Sequence, residues 1–107
     1  MKFPLLYLLM KNILCFGDSN TWGYSPLDKS RHPIDRRWTG MLQQALGPEH
    51  RILEQGLNGR TTFKNEEGED AKPMRSGSQA LPMILESQRP LDLVIVMLGT
   101  NDVKNRF

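Results

Sequence analysis

"ILCFGDSNTWG", residues 13–23, is the stretch on which the fold turns. Ile13 to Phe16 form a short apolar run with Gly17 behind it, the pattern of a buried strand with a sharp exit turn. Asp18 and Ser19 stand on that turn. Ser19 admits two readings. A serine on a strand-to-helix turn exposes its hydroxyl at the upper edge of the sheet, and the N–H groups of the following turn face incoming negative charge. A serine followed by small polar residues is also a good helix N-cap. Asp18 reads as support for the turn rather than as a catalytic acid.

Outward from this stretch the chain alternates between strand and helix signals. Residues 24–35 carry two prolines and several turn formers, so they read as a loop. In 36–47, Trp38, Met41, Leu42, Ala45 and Leu46 repeat at the spacing of one helical face, and Gly47-Pro48 stops the helix. Residues 50–57 read as a second strand. The polar, acid-rich and glycine-rich stretch that follows has no period, and long loops of this kind in compact domains are usually functional or mobile. A second helix is expected over 78–88, with Pro82 tolerable in its first turn and disruptive beyond it. Leu93 to Leu98 then form an apolar run without alternation, a strand with both faces to cover.

Strand, helix, strand, helix, strand is the order of a parallel sheet flanked by helices. Ligands in such sheets sit beyond the carboxyl ends of the strands. Three turns lie there: Gly17 to Trp22, Gly56 to Thr62 and Gly99 to Asp102.

The totals narrow the function. A chain of 107 residues allows one domain, and a net charge of +2 without a basic cluster points to neither nucleic acid nor an anionic membrane. The single cysteine, Cys15, cannot form an internal disulfide and suits a reducing compartment. Residues 1–11 read as an apolar leader, with an apolar core of about eight residues and no small-x-small cleavage site, rather than as a signal peptide. It is too short to span a bilayer. The expectation is a cytoplasmic protein whose domain runs over 12–107.

At the other two turns, Gly59 can bring its N–H close to the point that Ser19 faces, and Asn101 can offer its amide. Around a developing oxyanion these groups would act as donors. The alternatives are a turn that needs positive φ at Gly59 and a cap at Asn101 for a helix starting at Asp102. Trp22 and Tyr24 are candidates for lining an acyl pocket, with core packing as the alternative. Arg60, beside Gly59, has two readings, orienting a polar substrate or pairing with loop acids such as Glu66 or Glu67, and the pairing is expected. The acids Glu66, Glu67, Glu69 and Asp70 read as a solvated face, so no metal and no cofactor is expected. His50 precedes its strand and belongs to the far edge of the sheet. His32 sits on the near side without an obvious carboxylate to orient it as a base.

Taken together, "FGDSNTWGY", "GLNGRTT" and "VIVMLGTND" resemble the first three sequence blocks of the SGNH (GDSL-type) hydrolases. They are most similar to the short-chain aryl esterase and acyltransferase branch, which also has "RWTG" between the first two blocks. The resemblance covers nearly all of 11–107. It implies a flavodoxin-like, doubly wound α/β fold of five parallel strands. It also implies metal-free acyl hydrolysis or transfer on a small ester, with Ser19 as nucleophile and Ser19, Gly59 and Asn101 as oxyanion donors.

Two departures stand out. Asn20 occupies the position of leucine in Gly-Asp-Ser-Leu, which leaves the serine hydroxyl in place. The family's general base is a histidine in a late Asp-x-x-His block, and no such block occurs in these residues. A serine of ordinary acidity is a weak nucleophile without a base. The residues themselves point the same way, because in a three-stranded sheet of order 2-1-3 the most apolar strand would be an open edge. The expectation is therefore an incomplete domain, poorly active alone. Its alternative is a non-catalytic fragment that associates edge to edge, as a homo-oligomer or with another chain.

Overall fold

A computed structural model describes residues 10–103 of the chain. The apolar leader expected over 1–11 lies outside the described residues as far as position 9, and Lys11 already belongs to the first strand. The three strands are β1 (Lys11–Gly17), β2 (His50–Gly56) and β3 (Leu93–Met97). They form a parallel sheet of order β2-β1-β3. This is the expected order, and it belongs to the α/β fold with helices packed against an open sheet.

β1 is central because it is the one strand that burial allows there. Leu14, Cys15 and Phe16 are completely buried, and Ile13 nearly so. Each such side chain contributes about 1.5–3 kcal/mol when removed from water. The pairing runs from Lys11↔His50 to Gly17↔Gly56 on one side and from Ile13↔Leu93 to Gly17↔Met97 on the other. Gly17, Gly56 and Met97 thus stand level across the sheet. The three turns that follow them leave from one edge.

The helices differ in detail from the sequence expectation. α1 (Ser19–Trp22) is a single turn that buries Thr21. It packs directly over the strand ends, because Gly56 has no side chain: a Cβ there would lie 2.7 Å from both the Thr21 carbonyl carbon and Trp22 Cα. α2 (Trp38–Leu46) has the expected span, but its apolar face is only partly covered, and Met41 is 58% exposed. Its attachment to β2 is largely polar. Gln43 donates to the Gly47 and His50 carbonyls and accepts from the Ile52 N–H. Buried Thr39 donates to Glu54, whose carboxylate also takes the Arg37 guanidinium at 3.1 Å.

α3 (Gly77–Gln88) begins one residue before the expected span, because the hydroxyl of Ser76 caps it by accepting from Gln79. Pro82 stands in its second turn and has no N–H to give the Ser78 carbonyl. β3 lies at a sheet edge among the described residues. Leu93, Val96 and Met97 are 51%, 53% and 42% exposed, so the faces expected to need cover are partly bare.

Candidate active site

The first turn assigns the helix cap to Asp18 rather than to Ser19. Asp18 is the N-cap, its carboxylate accepting from the Asn20 N–H at 3.0 Å, and Ser19 is the first helical residue. The Asp18 carbonyl takes the N–H groups of Thr21 and Trp22. This leaves the Ser19 N–H without a hydrogen-bond partner among the described residues. An orphan donor of that kind, at the start of a helix turn, is directed at whatever approaches the serine.

The second turn is closed by the Arg60 N–H bonding to the Leu57 carbonyl at 3.1 Å. Gly59 is its third residue, with φ of 83°, the value that position has in a type II turn. Glycine is the residue that adopts it without strain. The Gly59 N–H has no acceptor among the described residues. The turn explanation for Gly59 therefore holds alongside its availability as a donor.

The third turn contains a 3-10 turn, Thr100–Val103, and most of the helix that Asn101 could cap from Asp102 lies outside the described residues. Asn101 is buried and donates one Nδ2 hydrogen to the Arg60 carbonyl at 2.9 Å. A side-chain amide has two such hydrogens, so this bond fixes the group while leaving the second N–H available. Asp102 adds a further tie, accepting from both the N–H and the hydroxyl of Thr62. The second and third turns are thus held together by side chains of adjacent residues.

Ser19, Gly59 and Asn101 line one cleft of about 220 Å³, together with Tyr24, Asn58 and Lys72. Trp22 does not line it; the guanidinium of Arg31 lies 4.9 Å from the centre of its ring. Nothing in a polar, aperiodic loop marks which side chains fold back over the sheet edge, so the sequence does not single out Asn58 and Lys72. Neither His32 nor His50 is among the lining residues. A larger hollow of about 430 Å³ between α2 and β2 contains Ile34, Ile52 and the Glu54 carboxylate, already held by Arg37 and Thr39. It shares no residue with the cleft.

The expected pairing of Arg60 with loop acids is not what the structure shows. Arg60 is 6% exposed, with its guanidinium 4.1 Å from the Phe16 ring centre and Nη1 donating to the Gly17 and Gln55 carbonyls. Carbonyls at the ends of parallel strands need donors, and this side chain supplies them beneath the turn that carries Ser19. Burial, followed by repulsion from Arg75, pushes its pKa down, and the Asp18 charge works against that shift. Glu66 instead accepts the Lys72 main-chain N–H at 2.8 Å. Among the described residues no group of three or more His, Cys, Asp or Glu side chains is arranged to hold a metal ion. No helix among them is long and apolar enough to cross a membrane.

Comparison with known proteins gives a consistent result. Residues 15–107 match the family model described as the GDSL-like Lipase/Acylhydrolase family. A carbohydrate acetylesterase family member from Sinorhizobium meliloti is 45% identical with a TM-score of 0.81, over 89% of this chain and 44% of that one. The native aryl esterase of M. smegmatis is 47% identical with a TM-score of 0.79, over 86% of this chain and 43% of that one. AlinE4, an SGNH-hydrolase family esterase, is 31% identical with a TM-score of 0.65, over 87% and 42%. The chain thus spans less than half the length of these solved proteins. No curated protein gives a significant match.

Proposed function

The chain belongs to the GDSL-like lipase/acylhydrolase family, and from that premise we propose that it is the part of a serine esterase or acyltransferase that carries the nucleophile and the oxyanion hole. The observation that carries this reading is the single cleft lined by Ser19, Gly59 and Asn101. Ser19 Oγ attacks the carbonyl carbon of a small ester. The carbonyl oxygen becomes an oxyanion, accepting from the N–H groups of Ser19 and Gly59 and from Asn101 Nδ2. The alcohol leaves, and water or a second alcohol takes the acyl group from the serine. A volume of about 220 Å³ lies below the roughly 300–1,000 Å³ of pockets for drug-sized ligands, which favours a short acyl group.

Among the described residues lining the cleft there is no histidine to accept the proton. In this reading the base is a histidine supplied from beyond them, by further sequence of the same protein or by another chain. The described residues alone then provide only the about 10³–10⁴-fold acceleration over water that oxyanion donors and binding retain without a base. Turnover of p-nitrophenyl acetate by the chain and by Ser19→Ala tests the assignment. A clear drop in the variant supports it, and equal rates remove Ser19 from the mechanism.

The exposed apolar side chains of β3 favour a second reading, a non-catalytic unit that pairs its open edge with another chain. Size-exclusion chromatography discriminates: a dimer or larger species supports edge pairing, and a clean monomer argues against it.

A further inference from the structure

We propose that the cleft selects esters bearing a negative charge on the portion away from the scissile bond, and that Lys72 recognises that charge; the inference rests on the esterase reading of Ser19. Lys72 is the one charged residue lining the cleft among the described residues. It lies against the oxyanion glycine. A Cβ built on Gly59 would sit 3.2 Å from Lys72 Cδ and 3.5 Å from Nζ, with Arg75 Nε at 3.6 Å. The ammonium therefore stands where a side chain of Gly59 would project, a direction separate from its N–H. That places it beside a substituent of the ester rather than on the oxyanion itself.

Lys72 and Arg75 lie beside Gly59, with buried Arg60 next in sequence. The ion pairs among the described residues join Lys11 to Asp92 and Arg31 and Arg37 to Glu54. None involves Lys72, Arg75 or Arg60. Glu66 accepts the main-chain N–H of Lys72. Arg75 donates to main-chain carbonyls, from Nε to Asn58 and from Nη1 to Pro73. Those bonds hold its charge beside the second turn without neutralising it. Repulsion from Arg75 contributes to the lowered pKa of Arg60, with only Asp18 opposing it. An anion on the substrate would find in Lys72 an exposed, flexible partner.

An exposed pair of this kind changes affinity by a small factor, about two- to fivefold at low salt. The test uses Ser19→Ala, which removes the nucleophile, titrated by NMR with monoethyl succinate and with ethyl levulinate, a neutral ester of near-equal size. Shifts of the Gly59 and Asn101 amides report binding. The expected result is monoethyl succinate binding about two- to fivefold tighter, with the difference lost in the Lys72→Gln background and at high salt. In Lys72→Glu the preference passes to a cationic ester, acetylcholine. Equal affinities for the two esters, or a preference that survives Lys72→Gln, overturns the proposal. Because binding is read with the nucleophile absent, an unreactive Ser19 in the parent chain would refute the esterase reading without touching this result.

Discussion

Replacing Gly56 by alanine asks how rigidly the sheet edge holds the turn that carries Ser19. The φ of Gly56 is outside the left-handed region, so alanine is allowed by its own backbone. The obstacle is contact: the new Cβ would lie 2.7 Å from the Thr21 carbonyl carbon and from Trp22 Cα, and closer still to the Trp22 nitrogen. These are backbone atoms of α1, which cannot rotate aside as a side chain does. Overpacking of this sort costs about 1–3 kcal/mol. The reduced freedom of the unfolded chain returns about 0.4–1 kcal/mol. The expected net loss is about 1–2 kcal/mol, which at a urea dependence of about 1–3 kcal/mol/M lowers the midpoint by about 1 M.

The same contact displaces Ser19, two residues before Thr21. Misplacement of a reacting group by about 1 Å can lower a rate about a hundredfold. Urea unfolding followed by the fluorescence of Trp22 and Trp38, with the rate of Ser19 acylation by p-nitrophenyl acetate, measures both effects. Gly47→Ala is the control. Its φ is 84° with nothing within 4 Å, so it loses about 1 kcal/mol to backbone strain and leaves Ser19 unchanged. A Gly56→Ala chain that unfolds at the parent midpoint and acylates at the parent rate would refute the contact as the origin of the turn's geometry.

Asn101→Asp keeps the shape of the side chain but loses both Nδ2 hydrogens; Ser19 acylation is expected to slow about 10²–10³-fold, measured on chains shown to be folded by tryptophan fluorescence. Arg60→Met removes two charge-assisted bonds to the Gly17 and Gln55 carbonyls and also removes a buried cation. The terms partly cancel, and a loss of about 1–2 kcal/mol in urea unfolding is expected. Burial, with the Glu54 charge second, pushes the Cys15 thiol from its ordinary 9.0 to about 11. The folded chain should therefore resist iodoacetamide at pH 8 while the urea-unfolded chain reacts. Because the folded pKa is the higher one, this contribution to stability is complete below pH 9 and is lost between about 9 and 11.

What the sequence revealed follows the range of the forces involved. The apolar runs at Ile13–Phe16 and Leu93–Leu98 and the Gly47 stop act locally, so the strands and α2 were legible within a residue or so. Three turns at strand ends followed from the parallel order, and their common level follows from register. The ties between turns were not legible. Asn101 to Arg60 and Asp102 to Thr62 each span about forty positions, and no periodicity carries information over that distance. Arg60 misled for a related reason: the nearest acids in sequence are in the loop, but the carbonyls at the strand ends offer fixed partners at less entropic cost. Pro82 in the second turn of α3 shows position and capping prevailing over propensity.

The central claim is that the Ser19 hydroxyl and the free N–H of Gly59 face one point. Reaction with diethyl p-nitrophenyl phosphate, followed by peptide mapping and by the Gly59 amide resonance, tests it most directly. The account predicts a phosphoryl group on Ser19 in preference to every other serine, with the Gly59 amide proton shifted downfield by a new hydrogen bond. Label spread evenly over the serines, or a Ser19 adduct that leaves the Gly59 amide unmoved, would contradict it.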